Sequence, residues 1–203
     1  MKLYDGGRAP NPRRVRIFLA EKGITVPIEP VDIGSLQHKS DTYRAINPLQ
    51  RLPALVLDDG TVLTESIAIC RYFEGLQPQP ALFGTGPLQT ALVEMWQRRI
   101  ELNLLAGIQA VFRHLHPSMQ ALEKPQIAEW GEVNKPRVMD FLALLDRELA
   151  DRRFAASDAY SVADITALVA IDFMKPAKLA LPAELKNVAR WHAEVSARPS
   201  AKA

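Results

Sequence analysis

A proline at the head of a short apolar run constrains this chain more than any other feature. Pro53 opens Ala54-Leu55-Val56-Leu57, and Asp58-Asp59-Gly60 closes it, which is the pattern of a strand ending in a tight turn. Thr61-Val62-Leu63 leaves that turn as the returning strand. Thr64-Glu65-Ser66 then starts a helical pattern carried by Ile67, Ala68, Cys70, Arg71 and Tyr72. Proline has no N–H to give to a ladder, so Leu52 ahead of it keeps backbone N–H and C=O groups that suit strand-like pairing with a ligand. The helix start at Glu65 and Ser66 offers unpaired N–H groups and partial positive charge, a site for a carboxylate. A small peptide with a free carboxylate satisfies both. Each half also has an ordinary structural meaning, as edge-strand punctuation and as a helix start.

Taken together, the series N-P-x-x-x-L-P from Asn47 to Pro53, a hairpin, and E-S-x-A-I from Glu65 to Ile69 resembles the glutathione-binding half of the cytosolic glutathione transferase family. The resemblance implies a cis proline at Pro53, backbone pairing of Leu52 with the cysteinyl part of glutathione, and a Glu65-Ser66 pair holding the γ-glutamyl end. The family more often has glycine and lysine where this chain has Gln50 and Arg51. A bacterial member is expected, because the asparagine discussed below matches some bacterial members.

Charge and cysteine content exclude several classes. Lys and Arg number 25 against 23 Asp and Glu, so no basic footprint calls for nucleic acid, and the Arg13-Arg14-Arg16 cluster reads as a solvated helix face. The single cysteine, Cys70, allows no internal disulfide or cysteine-based metal cluster, and its apolar helical setting reads as a buried, inert thiol. No run approaches membrane-spanning length and no leader pattern opens the chain, so the expectation is a cytoplasmic protein with no membrane partner.

The first quarter of the chain alternates strand and helix. Lys2-Leu3-Tyr4 reads as a strand, Pro12 to Lys22 as a helix with Val15, Ile17, Phe18 and Leu19 inward, Val26 to Val31 as a strand, and Ser40 to Ile46 as a short helix. With the hairpin and its helix this is the order of an α/β thioredoxin-like domain, expected over residues 1–76. A Pro- and Gly-rich linker is expected over 77–87, and an all-α domain over 88–203. There, apolar residues from Leu88 to Leu115 at steps of three and four predict one long helix ending near His116-Pro117. A second helix, Pro125 to Leu149, contains Pro136, which should bend or interrupt it. Ser161-Val162-Ala163-Asp164 forms a capping box ahead of an apolar helix expected to be buried, and it also matches the family's buried capping motif. A closing helix carries Val188, Trp191 and Val195, so the resemblance spans essentially the whole chain.

The resemblance places the glutathione sulfur at the loop after the first strand, beside the start of the first helix. A fall of about two units from a thiol pKa of roughly 8.5 raises the thiolate fraction at pH 7 from about 3% to about 75%. Tyrosine, serine or cysteine usually serves the family as the sulfur's partner. Here Ala9 stands where a serine is expected and offers no hydroxyl, while Asn11 falls where other members have cysteine or asparagine. The Asn11 amide suits a thiolate, and Asn followed by Pro is equally what an N-cap and first helical residue look like. Tyr4 is the remaining hydroxyl nearby. By the same alignment His38 and Gln50 stand near the glycine carboxylate, with Lys39 and Arg51 as alternative cations. Phe112, Arg113 and His116 are candidates for the electrophile side. His114 and His116 lack the spacing and companion carboxylates of a metal site, so no metal is expected.

The function expected from the resemblance is a glutathione transferase, joining the glutathione thiolate to small hydrophobic electrophiles. A glutathione-dependent disulfide oxidoreductase and a non-catalytic glutathione-binding module are the alternatives. A homodimer is expected, with the Glu65 helix and the Met95, Trp96 and Arg99 face as its surfaces.

Overall fold

The computed structural model of the protein describes residues 1–203, which form two compact units. Unit 1 comprises Met1–Leu82 and Pro199–Ala203, and unit 2 comprises Phe83–Arg198. Unit 1 carries strands β1 (Lys2–Asp5), β2 (Ile28–Pro30), β3 (Ala54–Val56) and β4 (Val62–Thr64), with helices α1 (Pro10–Lys22), α2 (Asp41–Ile46) and α3 (Ser66–Leu76). The strands form one sheet in the order β2-β1-β3-β4. β1 runs parallel to β2, with Leu3 opposite Ile28, and antiparallel to β3, with Leu3 opposite Leu55. A crossover helix between β1 and β2 is what a parallel pair requires, whereas β3 and β4 need only the Asp58-Asp59-Gly60 turn.

The inward residues of α1 behave as its period predicts, and Val15, Ile17 and Phe18 are fully buried. Arg14, expected on a solvated face, is fully buried as well. The correction has a simple geometric cause: Arg14 lies three and four residues before Ile17 and Phe18, on the same helical stripe. α1 also starts two residues earlier than expected. Ala9 is the N-cap, Pro10 the first helical residue, and Asn11 the second, so Asn11 is not the cap. Gly23 ends the helix in a left-handed conformation with φ 65°, its N–H bonded to helical carbonyls. Residues 199–203, expected with the helical domain, group with unit 1 because Arg13 Nη2 donates to the Ala201 carbonyl at 2.9 Å and Ser200 donates to Glu21.

Unit 2 is helical: α4 (Gly86–Arg99), a π-helical segment (Ile100–Leu105), α5 (Ala106–Leu115), α6 (Ala128–Glu148), α7 (Val162–Met174) and α8 (Lys186–Ser196). The expected single long helix is therefore broken in register by the π segment. Asn103 Nδ2 donates to the Arg99 carbonyl at 2.8 Å, taking the acceptor that an α-helical Asn103 N–H would use. α6 runs through Pro136 without interruption. Trp96, expected on a surface, is 1% exposed, and the guanidinium groups of Arg99 and Arg152 lie over its ring at 5.1 and 4.7 Å. Cation–π contact with the two arginines helps to cover the ring.

α7 is the axis of the unit, with Val162, Ala163, Ile165, Ala167, Leu168 and Ala170 fully buried. Its capping box is present, with the Ser161 and Asp164 side chains each bonded to the other's backbone end. α5 and α6 approach closely at glycines: a Cβ on Gly131 lies 2.5 Å from Leu115 Cγ, and one on Gly107 lies 2.8 Å from Val138 Cγ2. Gly131→Ala should therefore force Leu115 aside and lower stability by about 1–3 kcal/mol, read as an earlier thermal or urea midpoint.

Candidate functional site

The β-register assembles the site. β3 pairs Ala54 with Thr64, and β1 pairs Tyr4 with Ala54. Continuing both ladders by one or two residues brings the β1–α1 loop, Leu52-Pro53 and Glu65-Ser66 to one end of the sheet, since neighbouring strands lie about 5 Å apart. The close approach is independent of the register argument: a Cβ on Gly6 stands 3.0 Å from Leu52 Cδ1 and 2.7 Å from Ile33 Cδ1. Gly6 is thus the residue that lets the loop lie against Leu52.

The Leu52–Pro53 peptide bond is cis. Tyr43 Oη and Asn47 Nδ2 donate to the Arg51 carbonyl at 2.7 and 2.8 Å, which holds the turn one residue before Leu52. β3 begins only at Ala54, and no backbone hydrogen bond takes the N–H or C=O of Leu52. Both remain for an extended ligand. Burial pushes the Tyr43 phenol well above its ordinary range, and its hydroxyl serves as a donor to the Arg51 carbonyl.

On the other side of the hairpin, Glu65 occupies the N-cap of α3 with φ 63° and ψ 113°, and it is exposed. A side chain other than glycine seldom adopts that conformation, and where it persists it tends to sit at a functional turn. Ser66 is the first residue of α3 and is 6% exposed. Arg14 Nη1 donates to Ser66 Oγ at 3.1 Å. No motif marks Arg14; only its phase on the inward stripe of α1 points to this position.

The β1–α1 loop is tied down by charge. Asp5 accepts from Gly7 N at 2.6 Å and from Arg16, and Arg16 Nη2 donates to the Gly7 carbonyl at 3.0 Å. Ala9 N donates to the Gly6 carbonyl, so the loop arrives at α1 already turned. In the first turn of α1, Pro10 and Pro12 have no N–H, and Asn11 alone of the first three helical residues supplies one. Asn11 is half-buried and Ala9 likewise. Tyr4 lies in β1 with its ring edge against Tyr43, 6.1 Å between centroids.

His38 sits in a 3-10 turn (Gln37–Lys39) and is 7% exposed, so it is not a free loop histidine. Gln50 has φ 53°, a left-handed conformation that explains why glycine suits this position, and its amide lies between Lys39 and Arg44. The Arg51 side chain is exposed. Cys70 is fully buried, and burial pushes its thiol up to about 12 despite the opposing charge of Arg14, which leaves no nucleophile there.

In unit 2, Phe112 stacks on His116 with 4.8 Å between centroids and meets Phe173 edge-on at 5.0 Å. Arg113 pairs with Glu123 at 2.8 Å. His114 Nδ1 accepts from Ile127 N, and His116 Nδ1 bonds Ser118, so the two rings serve the turn after α5 and do not converge.

Comparisons with known proteins bear on the family and the fold. Residues 9–76 match the sequence profile described as glutathione S-transferase, N-terminal domain, and residues 98–199 match glutathione S-transferase, C-terminal domain. Glutathione S-transferase 2 of Saccharomyces cerevisiae is 34% identical over 100% of this chain and 88% of its own. Maleylacetoacetate isomerase of Pseudomonas aeruginosa is 31% identical over 81% of this chain and 77% of its own. The crystal structure of a glutathione S-transferase domain-containing protein of Marinobacter aquaeolei superposes with TM-score 0.95, at 39% identity, covering 98% of this chain and 99% of that one. No helix is long and apolar enough to cross a membrane.

Proposed function

The chain belongs to the glutathione S-transferase family, and on that premise we propose that it binds glutathione on unit 1 and joins its thiolate to small hydrophobic electrophiles. The observation that carries the proposal is the sheet end at which Leu52, whose backbone takes part in no backbone hydrogen bond, and the start of α3 at Ser66 flank the two strands of one hairpin. Leu52 N–H and C=O pair with the cysteinyl residue, and Ser66 and the α3 N-terminus take the γ-glutamyl carboxylate beside Glu65. Lys39, Gln50 and Arg51 face the glycine carboxylate, with His38 supporting that turn from within.

The sulfur then falls beside the start of α1. Ala9 offers no hydroxyl, so the Asn11 side-chain amide and N–H are the donors that hold a thiolate there. The partial positive charge of the helix adds to them and lowers the thiol pKa. The thiolate attacks the electrophilic carbon, a C–S bond forms, and the leaving group departs with its electron pair.

Ser66→Ala tests the glutathione site. One hydrogen bond to a carboxylate is lost while the helix terminus remains, so affinity measured by calorimetry should fall about tenfold, equivalent to about 1.4 kcal/mol. Unchanged affinity removes Ser66 from the site. Glutathione-dependent disulfide reduction is the second reading, favoured by the missing hydroxyl at Ala9. One relative is named an isomerase, so isomerisation belongs among the activities assayed. The protein is also expected to form a homodimer, for which the exposed Leu88 and Leu102 are candidates and buried Trp96 is not. Light scattering should give twice the 22.6 kDa chain mass, and a monomer mass at micromolar concentration rejects it.

A further inference from the structure

Four arginines lie in or just before the first half of α1, and three of them have evident duties or freedom. Arg8 is exposed, Arg13 reaches the Ala201 carbonyl, and Arg16 holds Asp5 and Gly7. Arg14 differs: its side chain is wholly buried where α1 packs on α3, and its Nη1 lies 3.1 Å from Ser66 Oγ. Further along the same interface the carboxylate of Glu74 pairs with Lys22, which also donates to the Gln77 carbonyl at 2.8 Å.

A guanidinium has only donors and keeps its proton at any pH that a folded protein survives. In the Arg14–Ser66 bond the serine oxygen must therefore be the acceptor. A serine hydroxyl elsewhere rotates freely between donating and accepting; here one lone pair is taken and the O–H is left to point at something else. At the first residue of α3 that direction favours an anion, because the helix N–H groups and the arginine charge both act there.

We propose that Arg14 is a positioning residue for the carboxylate end of the glutathione site, fixing the Ser66 hydroxyl as a dedicated donor and setting a buried positive charge behind it. The inference rests on the assignment of Ser66 to the γ-glutamyl carboxylate made above. It makes Arg14 a determinant of selectivity for that carboxylate without any contact to the ligand. Its signature is a change in glutathione KM with kcat at saturation preserved, since the reacting sulfur lies at α1's start and not at Ser66.

The experiment compares two ligands by calorimetry: glutathione, and 4-aminobutyryl-cysteinyl-glycine, which lacks only the γ-glutamyl α-carboxylate. Ser66→Ala should weaken glutathione selectively and leave the analogue within about twofold. Arg14→Met should do the same, by about tenfold, and adding it to Ser66→Ala should cost no more than about a further twofold, because the two act through one bond. Arg14→Lys, which keeps a charged donor, should recover most of the loss. If Ser66→Ala weakens both ligands equally, the carboxylate assignment itself is wrong. If Ser66→Ala is selective but Arg14→Met weakens both ligands alike, or neither, Arg14 is only a core residue and the proposal is overturned. Should circular dichroism find Arg14→Met unfolded, Arg14→Gln keeps a donor without the charge and is judged by the same selectivity, with a loss of about threefold expected.

Discussion

Asp164→Ala should lower the stability of the protein by about 4 kcal/mol, the largest effect of any single substitution considered. The Asp164 carboxylate is fully buried and accepts from Ala155 N at 2.8 Å, Ser161 N at 2.9 Å, Ser161 Oγ at 3.1 Å and Trp191 Nε1 at 2.9 Å. It ties the start of α7 to the loop before it and to α8. Truncation leaves three buried N–H donors without acceptors, each costing about 1–3 kcal/mol, and removes half of the capping box. For a chain of this size each kcal/mol moves the thermal midpoint by about 2–4 °C, so a fall of about 8–16 °C is expected in calorimetry. Asp164→Asn retains one acceptor oxygen but turns an NH2 group toward the same donors, and should recover no more than about half. A midpoint within about 2 °C of wild type for the alanine variant contradicts the network.

The second large effect concerns turnover. On the proposed thiolate contact, Asn11→Asp puts a carboxylate beside the sulfur, and like charges raise the thiol pKa. From a thiol pKa of about 6.5, a rise of one to two units lowers the thiolate fraction, and with it kcat/KM at pH 7, by about three- to 25-fold and moves the acidic limb of the pH profile upward by the same amount. Stability should hold or rise slightly, since Asn11 is the second residue of α1, where the macrodipole favours an acid. Asn11→Ala should lower activity with little change in stability, because Ala9 and not Asn11 occupies the cap. An aspartate variant with full activity and an unshifted profile would falsify the thiolate contact.

Periodicity and punctuation made the architecture legible. Pro53, the Asp-Asp-Gly turn and the apolar run of α7 each impose one local conformation, and the strand–helix order then leaves few topologies. The errors arose where a side chain's environment depends on distant contacts. Charge alone suggests a solvated Arg14, but its helical phase places it with Ile17 and Phe18 inside the protein. Trp96 was read as surface, yet Arg152, remote in sequence, closes over it. The π segment turns on a side-chain bond from Asn103 to Arg99 that no hydrophobic period encodes.

The candidate site is readable in the sequence as a set of positions. The series from Asn47 to Ser66 marks the backbone of Leu52 and the start of α3, and the register carries both to one end of the sheet. Asn11 was less readable, because Asn-Pro signals a cap as readily as a ligand, and Pro10 moved the helix start ahead of it. The Asp5–Arg16 tie on the β1–α1 loop is a tertiary contact between a strand end and a helix, without a local sequence signal.

The central claim is that glutathione bound on unit 1 delivers its sulfur to carbon. The measurement that tests it most directly is mass spectrometry of the products formed from glutathione with an aryl halide, and in parallel with a small disulfide, at pH 7 and above the spontaneous rate. The expected result is an enzyme-dependent aryl thioether of glutathione with one halide released per adduct, diminished at sub-saturating glutathione in Ser66→Ala. Formation of glutathione disulfide alone, with no thioether, contradicts it.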